Sequence, residues 1–109
     1  MSREECELLD RIINLKIGSG NDALTFVDRL ARENSWSNEY AERCLLEYKR
    51  FIYLAVISDT PVTPSDQVDQ VWHLHLTYTE SYWIDMCDKV LKQHIHHGPT
   101  KGGVKEFNR

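Results

Sequence analysis

The sequence predicts an all-α fold, a compact bundle of four or five helices over residues 1–97 with a loosely ordered tail over 98–109. Three observations predict it. Apolar residues recur at helical spacing through most of the chain. The 5 glycines and 3 prolines gather at joints or in the tail. No pair of alternating apolar runs flanks a tight turn, so nothing signals a β-hairpin.

The elements follow in order. The first helix is expected within residues 2–17, with Cys6, Leu9, Ile12, Ile13 and Lys16 along one face, ended by Gly18-Ser19-Gly20. Asn21 or Asp22 can cap the second, because a short side-chain oxygen accepts an orphan amide proton of the first turn. That helix presents Ala23, Leu24, Val27, Leu30 and Ala31, and runs to about Glu33. Ser37 caps a third helix extending to about Ile57. Its wide stripe of Ala41, Cys44, Leu45, Tyr48, Phe51, Ile52 and Ala55 makes it the central one.

The joint Asp59-Thr60-Pro61-Val62-Thr63-Pro64 is the clearest punctuation. Thr63 as cap, Pro64 at the first helical position and Asp66 in the first turn form a strong start signal. From there Val68, Val71, Trp72, His75, Tyr78, Tyr82, Trp83, Met86, Val90 and Leu91 hold a period near 3.6 as far as Lys92. At that spacing the aromatics Tyr48, Tyr53, Trp72, Tyr78, Tyr82 and Trp83 read as core.

Composition narrows the function classes. The 109 residues fit one domain, and 13 basic against 17 acidic residues give a formal charge of -4. Without a basic patch, nucleic acid is not an expected partner. The charged start and the lack of a long apolar run predict neither a secretory leader nor a membrane span, hence a cytoplasmic protein. Cys6, Cys44 and Cys87 are odd in number and far apart, which suits reduced thiols.

All 5 histidines fall between His73 and His97, in Trp72-His73-Leu74-His75 and His94-Ile95-His96-His97. Histidine is the commonest metal ligand and the usual proton carrier near neutral pH. On a regular helix His73 and His75 point about 200° apart, so they cannot easily serve one ion. His75 falls in the apolar stripe and is expected to be buried and hydrogen-bonded. His73 falls with Asp66 and Asp69 on the polar side, where Asp69 can orient it as a base or as a ligand.

Reach decides whether the two clusters meet. Along one straight helix His75 and His94 would stand about 28 Å apart, of which a short extended tail recovers only about 15 Å. They meet within one chain only if the helix breaks near Thr77-Tyr78-Thr79-Glu80, which fits a Ser/Thr-x-x-Glu capping box. Otherwise they meet across an antiparallel dimer. Candidate ligands for zinc or iron are Asp69, His73, His96 and His97, with Cys87 as a thiolate alternative that otherwise belongs to the apolar stripe.

The stretch Val68-Asp69-x-x-Trp72-His73-x-His75, continued by Tyr82, Cys87 and His96-His97-Gly98-Pro99-Thr100-Lys101-Gly102-Gly103, resembles the glycine-rich domain-containing protein-like family. Similar stretches surround Phe26-Val27-Asp28-Arg29-Leu30-Ala31 and Glu47-Tyr48-Lys49-Arg50-Phe51. The resemblance implies a small helical domain and supplies no activity. With only 5 glycines, the chain lacks the glycine-rich region of larger relatives.

Two functional expectations follow. The first is an interaction or scaffold module, with a protein partner or a second copy, in which Asp69, Trp72, His75, Tyr82 and the other histidines lock a helix junction. The second is a metal-binding domain or metal-dependent enzyme built on the histidine clusters.

Overall fold

Local capping accounts for most helix boundaries. In the computed structural model, which describes residues 2–17 and 25–97, α1 spans Arg3–Ile13, α2 Phe26–Asn34, α3 Asn38–Ile57, α4 Asp66–Thr77 and α5 Glu80–Leu91. The fold is all-α, with no strand among the described residues. The expected tail over 98–109 lies outside them, as do Gly18, Ser19, Gly20, Asn21, Asp22, Ala23 and Leu24.

Ser2 and Glu5 close a capping box at the start of α1, each side chain accepting the other's amide proton. Thr25 and Asp28 do the same for α2, so Thr25 is its cap. Asp28 also accepts from Asn38 Nδ2 at 2.7 Å, tying the first turns of α2 and α3 together. Ser37 caps α3 as expected. The start of α4 corrects the sequence expectation: Ser65, not Thr63, accepts the Val68 amide, and Pro64 precedes the helix.

Helix α3 is central and touches α1, α2 and α4. Its Ala41, Cys44, Tyr48, Phe51 and Ile52 are buried, with Leu45 and Ala55 half-buried at the margin. Burying such apolar side chains contributes roughly 1.5–3 kcal/mol each before entropy is subtracted. Cys6, expected on the inner face of α1, is exposed, and Ile12 holds that helix to the core. Lys49 donates to the carbonyls of Ile13 and Leu15 at 2.9 and 2.8 Å, satisfying acceptors left by the end of α1.

The helix predicted over 64–92 breaks where the sequence allowed, by a different device. Thr77 does not cap α5; its hydroxyl donates backwards to the Leu74 carbonyl at 2.6 Å. Tyr78 leaves helical geometry (φ -91°, ψ 70°), its amide donating to His75 O. Thr79 precedes α5 with no side-chain cap.

Helix α5 departs further from the expected 3.6 period, being wound as a π-helix with i→i+5 hydrogen bonds. Its buried residues are Ser81, Tyr82, Met86, Cys87 and Leu91. Those positions recur every four or five residues, a rhythm that an α-helix spreads around its circumference and a wider helix keeps on one face. Lys92, left-handed at φ 60°, ends it, and Gln93 N returns to Cys87 O at 3.0 Å. The chain then doubles back over 93–97 toward α4.

Candidate metal centre

The break at Tyr78 brings the second histidine cluster back to the first. Trp72 Nε1 donates to the Tyr82 hydroxyl at 2.9 Å, and that hydroxyl donates to the Ile95 carbonyl at 2.5 Å. One phenol thus ties α4, α5 and the returning segment. Two residues beyond Ile95, the His97 ring sits 4.4 Å from the Trp72 ring and 4.5 Å from that of His73, centroid to centroid.

Asp69 completes the arrangement one turn before His73. Its Oδ1 accepts from His97 Nε2 at 2.6 Å, and its Oδ2 lies 3.6 Å from His73 Nε2. Asp69 and His97 keep only 18% and 14% of their side chains exposed, while His73 keeps 53%. The carboxylate is therefore sheltered and addressed by two imidazoles, one sheltered and one open to solvent. One candidate ligand atom from each of Asp69, His73 and His97 lies within 4.8 Å of the other two.

No family model matches the chain, and neither a curated protein nor a solved structure matches it.

Two imidazoles and a carboxylate suit zinc or ferrous iron. Ligands about 2.1 Å from a shared ion at a tetrahedral angle stand about 3.4 Å apart. The Asp69 Oδ2–His73 Nε2 spacing of 3.6 Å approaches that, the Asp69 Oδ1–His97 Nε2 pair needs to open by less than about 1 Å, and the candidate ligand atoms all lie within 4.8 Å of one another. Entry of a cation would replace the proton that His97 now shares with Asp69.

The remaining expected ligands lie elsewhere. His96 is exposed, its ring 5.3 Å from that of Trp83. His94 packs on the same indole at 5.4 Å and meets Asp88 Oδ1 at 2.7 Å, both side chains about half exposed. Cys87 is fully buried in the core face of α5, and burial raises its thiol pKa, favouring the protonated form. Neither His96 nor Cys87 belongs to the group formed by Asp69, His73 and His97.

His75 points inward, opposite to His73 as the helical spacing requires, and is 0% exposed. Its Nδ1 is 2.7 Å from the Tyr48 hydroxyl and its Nε2 3.0 Å from Ser81 Oγ. In the neutral ring one nitrogen donates and the other accepts, so both are satisfied in either tautomer. Burial, aided by the Lys49 charge, lowers its pKa to about 3. The Ser81–His75–Tyr48 string resembles a nucleophile–base pair in connectivity alone. A sealed imidazole that resists protonation at neutral pH is not a working general base.

Sequence reasoning missed Ser81, Tyr48 as the partner of His75, and the Tyr82 hydroxyl as a bridge. A buried histidine needs two hydrogen-bonding partners, so the first two were signalled in kind. Which residues would supply them depends on helix packing, which the spacing does not encode.

Proposed function

We propose that this chain is a helical domain that binds a divalent transition metal, zinc or ferrous iron, through Asp69, His73 and His97. The observation that carries the reading is the convergence of one carboxylate and two imidazoles within 4.8 Å, His97 lying 28 residues from Asp69 in the chain. Three protein ligands leave a coordination position for water or an exogenous molecule, as in catalytic rather than closed structural sites. Trp72, beside the His97 ring, and Tyr82, which holds the returning segment, would keep the ligands oriented. Elemental analysis of untagged protein tests the reading. It predicts one metal per chain, lost in His73→Ala and His97→Ala and kept in His94→Ala. Sub-stoichiometric metal unaffected by these substitutions would contradict it.

A second reading, an interaction or scaffold module, is favoured by the Trp72–Tyr82–Ile95 hydrogen-bond chain, which locks the junction of α4 and α5 without any ion. The resemblance to the glycine-rich domain-containing protein-like family accords with either reading. The proposed cytoplasmic setting is supported by three free cysteines, two of them buried, and none of the described helices is long and apolar enough to cross a membrane.

A further inference from the structure

We infer that the cleft between the end of α2 and the outer face of α4 binds an ammonium group. The cleft has a volume of about 220 Å³ and is lined by Glu33, Asn34, Gln70, His73, Leu74 and Thr77. That is smaller than the roughly 300–1,000 Å³ of drug-sized ligand sites, and suits a head group with a short stem.

The hydrogen-bond inventory of the lining supplies several acceptors. Asn34 Nδ2 gives one of its two protons to the Leu30 carbonyl at 3.0 Å, which leaves the Oδ1 acceptor and a second N–H. Thr77 gives its hydroxyl proton to the Leu74 carbonyl at 2.6 Å, so it can only accept. Glu33 contributes an ionised carboxylate, an acceptor with a full negative charge. Glu33, Asn34, Thr77 and Gln70 thus each offer an acceptor oxygen, the two amides and the His73 ring offering donors as well.

Electrostatics point the same way. Glu33 and Asn34 are the last two residues of α2, where the helix dipole is negative. No lysine or arginine lines the cleft. Leu74 supplies an apolar wall for a methylene stem. A primary ammonium is a compact cation with three donors and no acceptor. It pairs with these oxygens and with the Glu33 carboxylate, whereas a carboxylate or phosphate would meet that like charge with no lysine or arginine of the lining to offset it.

His73 belongs to this cleft and to the proposed metal centre, but the ammonium inference stands on the cleft alone. Its test is therefore run twice, with a chelator and with added zinc, so that failure of one reading is not failure of the other. Ethylammonium chloride is titrated into ¹⁵N-labelled protein against sodium chloride of matched ionic strength, following backbone amide shifts. The inference predicts saturable shifts at Glu33, Asn34, Gln70 and Thr77, with affinity falling about tenfold in Glu33→Gln, the loss expected of one charge-assisted hydrogen bond. Glu33 is exposed, so this variant should fold, and Thr77→Val provides a second loss of an acceptor.

A parallel titration with Nα-acetyl-lysine amide separates the sources of the ammonium. Tighter binding of this probe assigns the cleft to a lysine of another protein, and tighter binding of ethylammonium assigns it to a free amine. Shifts that sodium chloride reproduces, or that Glu33→Gln leaves unchanged, would overturn the inference.

Discussion

Nε2 of His97 lies 2.6 Å from Oδ1 of Asp69, although 28 residues separate them in the chain. No single helix could bring them together. The contact exists because Tyr78 breaks the helix, α5 runs away from the break, and Lys92 in its left-handed conformation turns the chain back. The Tyr82 hydroxyl then holds the returning segment against Trp72.

Removing that hydroxyl should loosen both the junction and the centre. In Tyr82→Phe the Trp72 Nε1 proton and the Ile95 carbonyl lose their shared partner while Trp72 stays buried. A buried unsatisfied group costs about 1–3 kcal/mol. Urea denaturation should show a loss of that size, and the amide resonances of Ile95 and His97 should broaden or shift. A variant with unchanged stability and unchanged resonances would remove Tyr82 from the account.

His75 should make the fold acid-sensitive. Its folded pKa of about 3 lies below its ordinary value of 6.5, so the unfolded chain binds the extra proton between those limits. Stability contributed by the neutral ring is complete above about pH 6.5, declines as pH falls, and is exhausted near pH 3. The limiting slope is about 1.4 kcal/mol per pH unit. Denaturant midpoints measured from pH 7 to pH 4 should fall in the natural chain and fall less steeply in His75→Gln. Equal slopes in the two proteins would count against the buried neutral imidazole.

Tyr48→Phe isolates the other side of that histidine. The substitution keeps the ring and deletes the only hydroxyl within hydrogen-bonding distance of His75 Nδ1 among the described residues. A loss of about 1–3 kcal/mol is expected from the stranded nitrogen. The depressed pKa of His75 should persist, because desolvation is its leading cause. Imidazole titration by NMR, with thermal unfolding, checks both outcomes.

Bound metal should stabilise the chain by mass action. If zinc binds only the folded state, 100-fold excess over its dissociation constant adds about 2.7 kcal/mol. A matching rise in thermal midpoint is expected, reversed by chelator and missing in His73→Ala. A midpoint indifferent to zinc in the natural chain would contradict the proposed ligand set.

The all-α class, the central role of α3 and the opposite facing of His73 and His75 were legible because each follows from the helical period alone. Ser37 was legible as a cap because a polar residue stands directly before an apolar helix. Thr63 and Pro64 misled by the same logic: Ser65 offers an equally good oxygen two residues later, and packing chooses between them. Helix α5 was misread in winding because Tyr82, Met86, Cys87 and Leu91 fit a 3.6 period loosely, and only the buried pairs reveal a wider one. His97 rather than His96 reaches Asp69 through the direction of the returning segment, which no local spacing specifies. The Glu33 cleft was invisible for a similar reason, since it joins two helices whose contact is tertiary.

Zinc binding by isothermal titration calorimetry on untagged natural chain, His97→Ala and His96→Ala tests the central claim most directly. The two histidines are neighbours in sequence, but only His97 stands with Asp69 and His73. The account predicts one zinc per chain in the natural protein and in His96→Ala, with affinity lowered at least about tenfold in His97→Ala. Equal loss in both variants, or undiminished binding in His97→Ala, would contradict it.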